Sequence, residues 1–190
     1  MRRVVGAVVA LVCVGMLSSC SLVPSHPGQI YDDSYQTTDA LMQHIADAVK
    51  SHDAAALKKL FSPRAREKAT DLDGGVKYFL SAFPSGTVTW KSQGNGEAGQ
   101  NSFSITATEL FGHYEISADG KKYEVYFAYF PVNDFHPDEV GIYALGVEPY
   151  DADSYTTSGA KKPFPLWASQ FEIGGDHSAT GSPGVYVPQK

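Results

Sequence analysis

The chain has 190 residues, 43 % of them hydrophobic, with 15 basic and 21 acidic residues and a formal net charge of −6. This length suits one domain with tails, and the apolar content is sufficient to build a core. The acidic balance argues against nucleic acid as a partner and against electrostatic docking on anionic lipid, because both select clustered Lys and Arg.

The first twenty residues have the pattern of an export signal. A basic start, Met1-Arg2-Arg3, is followed by 14 apolar residues from Val4 to Leu17 and then by two serines. The apolar run is shorter than the ~20 residues that a spanning helix needs. Cys20, directly after Leu-Ser-Ser, resembles the cysteine of the bacterial lipobox. This resemblance implies cleavage before Cys20 and a diacylglyceryl group on its sulfur.

We therefore expect a signal peptide over residues 1–19 and a protein held by its lipid on the extracytoplasmic face of the cell membrane. Two acyl chains suffice for stable anchoring. An ordinary secretory signal with a chance cysteine is the alternative. Cys13 and Cys20 are the only cysteines, so we predict no disulfide, thiolate metal site or cysteine nucleophile in the mature domain.

A flexible tether is predicted over residues 20–36, which contain two prolines and few aliphatic residues. Helical periodicity follows over residues 37–83. Asp53 is expected to cap a second short helix, and Ser62-Pro63 is expected to start a third. We expect Gly74-Gly75 to break the remaining helical stretch in two, because glycine weakens a helix interior.

After Pro84 the apolar period changes from helical to alternating, which is typical of strands. Short strands are predicted at residues 88–90, 103–107, 114–116, 122–130 and 140–147. Gly94-Asn95-Gly96 is predicted to form a turn, and Asp119-Gly120 a two-residue hairpin. Residues 150–190, rich in Ser, Gly, Asp and Pro, are predicted to be a tail that packs only partly on the domain.

Helices followed by strands predict an α+β fold, with the helices packed on the concave face of a curved antiparallel sheet. This order over residues 37–149 resembles the cone-shaped nuclear transport factor 2-like superfamily. Ala54-Ala55-Ala56-Leu57-Lys58-Lys59-Leu60-Phe61-Ser62, the Tyr-rich strand 123–130 and Gly141-Ile142 are together similar to a family of bacterial lipoproteins of unknown function (domain-of-unknown-function family 5104). The resemblance implies fold and location, and it carries no catalytic residues or cofactor.

An enzymatic alternative follows from the cone fold, whose members include ketosteroid isomerase and polyketide cyclases. Glu109 is the candidate base, because it is in phase with Phe103, Ile105 and Ala107, and burial would raise its pKa. A bulge near Ala107 would instead turn Glu109 to water, and this is the outcome we expect. His113 and Glu115 should share a solvated face opposite Tyr114.

No metal site is predicted. The acidic loop with Asp134, His136, Asp138 and Glu139 lacks the regular spacing of a calcium loop and is expected to be a solvated turn. The tyrosines of the strands are the strongest hint of a ligand, because phenols in a concave sheet can stack and form hydrogen bonds. Trp90, Tyr126 and Tyr143 are the candidate ligand-binding residues, and ordinary strand packing is the alternative.

Three functions remain open on the sequence. The first is a non-enzymatic, lipid-anchored module that binds a small molecule or a cell-envelope protein. The second is a small isomerase, dehydratase or cyclase that uses a pocket carboxylate. The third is a domain that forms a homodimer through its sheet, as many cone-fold proteins do.

Overall fold

The computed structural model describes residues 29–102, 105–150 and 181–187. In this part of the chain, helices come first and strands follow. The helices are Gln29–Ser51 (α1), Ala54–Lys59 (α2), Pro63–Lys68 (α3) and Leu72–Ser81 (α4). The strands are Val88–Ser102 (β1), Ile105–Ala118 (β2), Lys121–Asn133 (β3), Gly141–Pro149 (β4) and Gly184–Tyr186 (β5), with a short 3₁₀ helix, Pro137–Glu139, before β4. The α+β class is confirmed.

The predicted capping residues start α2 and α3. The Asp53 carboxylate accepts a hydrogen bond from the Ala56 N–H at 2.9 Å, and the Ser62 hydroxyl accepts one from the Ala65 N–H at 3.1 Å. These bonds satisfy amide groups that the first helical turn leaves without partners. Helix α1 begins at Gln29, within the segment that the sequence assigned to the tether.

The predicted helix break at Gly74-Gly75 is wrong. Both glycines lie in the first turn of α4, where Asp71 caps the helix by accepting a hydrogen bond from the Gly74 N–H at 2.8 Å. A Cβ atom on Gly75 would come within 2.7 Å of the Val185 Cβ atom. Glycine is therefore needed here for the close approach of β5, and the cap compensates for its low helix propensity.

The sheet has the order β1-β2-β3-β4-β5. Strands β1 to β4 pair antiparallel, as predicted, whereas β5 pairs parallel to β4. The sheet is therefore mixed rather than wholly antiparallel, and it is not closed. Strand β5 comes from the segment predicted to be a tail, where the sequence has no strand-length apolar run.

The predicted turn at Gly94-Asn95-Gly96 is also wrong. These residues lie inside β1, which pairs with β2 on both sides of a bulge between Ser92 and Gly94. The bulge absorbs the glycines without ending the strand. The Asp119-Gly120 hairpin is confirmed, and both residues have positive φ angles, of 49° and 76°, as this tight turn requires.

One face of the sheet packs against the helices, and we call it the helix-covered face. The helices contribute buried residues to one apolar cluster that they share with the sheet, among them Leu41, Ile45, Leu57, Phe61, Leu72 and Phe79. The sheet contributes alternate residues from β2, β3 and β4: Tyr114, Ile116, Ala118, Tyr123, Val125, Phe127, Ile142, Leu145 and Val147.

The opposite side of the sheet, which we call the outer face, carries the other residues of the same strands. A second apolar cluster lies there, formed by Ala128, Phe130, Tyr143 and Ala144, with Phe111 packed against it. Side chains alternate along a strand, so Glu109, His113 and Glu115 share this face with Phe111. The two faces of the sheet therefore carry different polar residues. Tyr114 and Tyr123 lie on the helix-covered face, and Glu109, His113 and Glu115 lie on the outer face.

Candidate binding groove

A groove lies between α1 and the residues where β3 ends and β4 begins. Its volume is about 590 Å³. This is within the range of sites that bind small molecules, ~300–1,000 Å³. The described residues that line it are Gln36, Thr37, Ala40, Leu41, His44, Leu60, Tyr129, Val140 and Gly141.

Helix α1 forms one side of the groove. Gln36, Ala40 and His44 recur every four residues, which places them in a row on one flank of the helix. Leu41, beside this row, is buried against the core. One flank of α1 thus offers the groove both apolar surface and side chains able to form hydrogen bonds.

The other flank of α1 is bound to the sheet. The Tyr114 hydroxyl donates a hydrogen bond to the Asp39 carboxylate at 2.7 Å, and the Asn95 amide donates one to the Thr38 hydroxyl at 2.7 Å. Burial raises the pKa of Tyr114, so its phenol keeps the proton that it donates. These bonds hold the first half of α1 at a set distance from the sheet.

A second aromatic contact holds the same flank one turn further along α1. The Trp90 indole N–H donates to the Gln43 side-chain oxygen at 3.1 Å, and the Trp90 ring packs edge-on against Tyr114 with centroids 5.5 Å apart. Trp90 therefore supports the helix that forms the groove and does not line the groove itself.

The far wall of the groove is the junction of α2 and β4. The Ile142 N–H donates to the Leu60 carbonyl at 2.8 Å, and the Ser62 N–H donates to the Ile142 carbonyl at 2.9 Å. Gly141 has a φ angle of +127°, and a Cβ atom there would come within 2.7 Å of the Ser62 nitrogen. Glycine is the residue that fits both the angle and the approach.

The loop before this wall is held by a buried carboxylate. Glu139 is fully buried, accepts a hydrogen bond from the Asn133 amide at 2.9 Å, and lies 3.4 Å from the Arg64 guanidinium. The Asn133 side-chain oxygen in turn accepts bonds from two loop amides, those of Phe135 and His136. The loop was expected to be solvated, and for Glu139 this expectation is wrong because Arg64 and Asn133 compensate its burial.

Tyr129 comes from β3, where alternation places it with Phe127 on the helix-covered face. Tyr129 is half-buried, and this burial raises the pKa of its phenol, which therefore remains a hydrogen-bond donor at neutral pH. The side chains of Tyr129 and His44 form no hydrogen bond with another described residue. Both are therefore available to a ligand in the groove.

The predicted ligand-binding residues are not brought together. Trp90 lies on the helix-covered face, whereas Tyr126 and Tyr143 lie on the outer face. Tyr126 is also separated from Tyr129, the tyrosine that lines the groove. The two are three residues apart in β3, so strand alternation places them on opposite faces of the sheet. In β4, a register shift allows Ile142 to face the helices while Tyr143 packs with Phe130 on the opposite side.

Glu109 is fully buried, so the expectation that it points to water is wrong. The bulge that we expected near Glu109 in β2 lies instead in the neighbouring strand, β3. Thr108 pairs with Val132 and Leu110 pairs with Tyr129, so two β3 residues lie opposite Glu109. Strand β2 itself alternates without interruption. Glu109 therefore lies on the outer face, across the sheet from the groove.

Glu109 is one of the groups that affect the pKa of the Tyr143 phenol. The pKa of the Tyr143 phenol is raised, first by burial and then by the Glu139 and Glu109 carboxylates, with Arg64 acting in the opposite direction. Neither Glu109 nor Tyr143 lines the groove.

His113 and Glu115 are buried as well, so the prediction that they are solvated is wrong. The Glu115 carboxylate pairs with Lys122 and Lys91 at 3.1 and 3.2 Å. The His113 Nε2 atom lies 3.6 Å from the Glu124 carboxylate. The Tyr126 hydroxyl donates to Glu124 at 2.5 Å, and the His113 ring stacks on the Tyr126 ring at 4.3 Å. A face with these partners can bury polar side chains that alternation alone assigns to water.

Sequence reasoning missed the residues that line the groove. Gln36, Ala40 and His44 share one flank of α1, and this spacing was readable once the helix was extended before residue 37. The far wall was not readable, because the contact of Leu60 with Gly141 joins segments about eighty residues apart. Only the unusual Gly141-Ile142 pair indicated it.

Cys20 lies outside the described residues. Among the described residues, no group of three or more His, Cys, Asp or Glu side chains is arranged to hold a metal ion. None of the described helices combines the length and apolarity needed to cross a membrane.

Fold and site together define an α+β domain with a small-molecule-sized groove between its first helix and its sheet. A protein family described as Domain of unknown function (DUF5104) matches residues 44–154. This match spans more than half of the 190 residues, so the chain belongs to that family, as the sequence resemblance indicated. No curated protein matches the chain.

Proposed function

We propose that this protein is a lipid-anchored, extracytoplasmic module that binds a small molecule in the groove and does not catalyse a reaction. The groove is the observation that carries the proposal. Two hydrogen-bonding side chains, Tyr129 and His44, face a space with apolar residues around it, and rigid contacts hold both sides of that space. Concave sites with a few polar groups are the usual form of small-molecule sites.

The anchor rests on the sequence. The signal-peptide pattern of residues 1–19 and the lipobox-like position of Cys20 support a location on the extracytoplasmic face of the cell membrane. Labelling of cells with palmitate tests this part, since Cys20→Ser should lose the label while Cys13→Ser keeps it. Label remaining on the Cys20→Ser protein would exclude the anchor.

Membership in the nuclear transport factor 2-like superfamily is part of the proposal. The order of helices and strands and the common cluster of helix and sheet residues support it. In a fold of this kind, a space between helices and sheet is the expected place for a ligand, which agrees with the position of the groove.

An enzyme with a carboxylate base is the weaker candidate. The groove lining contains no Asp or Glu among the described residues, and Glu109 lies on the outer face. A general base must reach the proton that it removes, within hydrogen-bond distance or through one water. Glu109 is on the opposite side of the sheet from the groove, so it does not meet this condition there.

A protein partner is the second candidate, as a homodimer or as a cell-envelope protein. The observation that favours it is β1, a 15-residue strand at the edge of the sheet that pairs only with β2 among the described residues. Edge strands can pair with another chain, although the bulge and Lys91 in β1 are features that discourage such pairing.

Retention of a small molecule tests the proposed function. The full-length protein is purified from its membrane, and the small molecules extracted from it are identified by mass spectrometry. Ala40→Trp should fill the groove and abolish retention, whereas Ala55→Trp, at an exposed alanine of α2 outside the groove, should leave retention unchanged. Equal retention by both variants would contradict the proposal.

A further inference from the structure

The groove differs in charge from the rest of this acidic protein. None of the described residues that line it is Asp, Glu, Lys or Arg. Its walls are largely aliphatic, with Leu41, Leu60 and Val140 as the largest apolar side chains. Its polar groups are the Tyr129 phenol, the Thr37 hydroxyl, the His44 imidazole and the Gln36 amide.

We propose that the ligand is an uncharged amphipathic molecule whose apolar ring or chain contacts Leu41, Leu60 and Val140, and whose hydroxyl or carbonyl oxygen accepts a hydrogen bond from Tyr129. This inference rests on the proposed binding function and names the chemical class of its ligand. A protonated phenol beside an apolar surface provides one directed bond and no counter-charge.

The alternative ligands are ions, and the groove offers them no counter-charge. An ion that leaves part of its hydration against an apolar wall loses free energy unless an opposite charge pairs with it. Arg64 interacts with Glu139 and Asp138 and is not among the lining residues. Lys91 and Lys122 both pair with Glu115 on the outer face.

Three ring compounds of nearly equal size test the inference: cyclohexanol, cyclohexanecarboxylate and cyclohexylammonium, at pH 7.5. The full-length chain in lipid nanodiscs is labelled at Leu and Val methyl groups, and the Leu60 and Val140 signals report on the groove while Val147 serves as the reference. We expect cyclohexanol to bind more tightly than either ion, since an ion would lose part of its hydration against the apolar wall without gaining an opposite charge from the described lining.

A substitution tests the role of Tyr129. Tyr129→Phe removes the hydroxyl and keeps the ring, so cyclohexanol should bind about fivefold more weakly, the loss expected for one neutral hydrogen bond. Tyr78→Phe, at a partly buried tyrosine outside the groove, should bind as the unmodified protein does.

The outcomes separate the two proposals. An ion that binds as tightly as cyclohexanol would overturn the ligand class and leave the binding function intact. Undiminished cyclohexanol binding by Tyr129→Phe would overturn the role given to that hydroxyl. If none of the three compounds shifts Leu60 or Val140, both the ligand class and the small-molecule function fail.

Discussion

At the scale of single residues, the groove depends on Gly141, which has no Cβ atom, and on the hydroxyl group of Tyr129. Gly141 combines a φ angle of +127° with a backbone approach to Ser62, and this contact joins the far wall to α2. Burial keeps Tyr129 protonated, so its hydroxyl can donate. Both properties follow from residue type and place in the fold, and neither depends on a charged group.

Gly141→Ala should therefore destabilise the protein by about 2–4 kcal/mol, because it adds backbone strain to a clash with backbone atoms that cannot move independently. Gly120→Ala is the matched control. Gly120 also has a positive φ angle, +76°, but no atom lies within 4 Å of a Cβ atom there. It should cost about 1 kcal/mol, which is the conformational term alone. Urea denaturation measures both changes, and equal costs would show that the approach to Ser62 is not required.

At the scale of elements, local sequence patterns explain most of the helices, strands and turns. Tertiary contacts explain those that the local pattern did not predict. The helix starts at Asp53 and Ser62 and the Asp119-Gly120 hairpin were predictable, because each depends on local hydrogen bonds or backbone angles. The continuous β1 strand and the first turn of α4 were not, because pairing with β2 and packing of Val185 override weak local propensity.

Prediction from the sequence has the same limit for the candidate site residues on the outer face. Alternation correctly assigns Glu109, His113 and Glu115 to one face, but it does not reveal whether that face is buried. For Glu115 the compensation is visible: Lys122 and Lys91 approach its carboxylate at 3.1 and 3.2 Å. Burial acts to raise the pKa of Glu115, and the two lysines together outweigh it, so the pKa is lowered.

The lysine contacts give a pH-dependent contribution to stability. Since the pKa of Glu115 is lower in the folded state, this contribution is complete above the ordinary glutamate value of 4.5 and is lost as the pH falls below it. Glu115→Gln should cost about 1 kcal/mol at pH 7 and progressively less towards pH 3. Urea denaturation from pH 3 to 7 measures this change.

Asp119→Asn, at the exposed aspartate of the β2–β3 hairpin, is the control and should alter stability little at any pH, because Asn fits the same turn position. A cost of Glu115→Gln that does not vary between pH 3 and pH 7 would show that the ion pairs with Lys91 and Lys122 do not stabilise the fold.

At the scale of the whole molecule, the two faces of the sheet have different properties. The helix-covered face ends in a groove between α1 and β4 whose described lining has no Asp, Glu, Lys or Arg, whereas Glu109, Glu115 and Glu124 are buried on the outer face. The proposed anchor would attach ahead of α1, the helix that forms one side of the groove. We propose that the groove, and not the outer face, is where this protein binds its ligand.

A crystal structure of the full-length protein with its co-purified small molecule tests this claim most directly. We expect electron density between α1 and the Leu60–Gly141 wall, with an oxygen atom within about 3 Å of the Tyr129 hydroxyl. Density on the outer face beside Tyr126 or Glu109, with the groove empty, would contradict it.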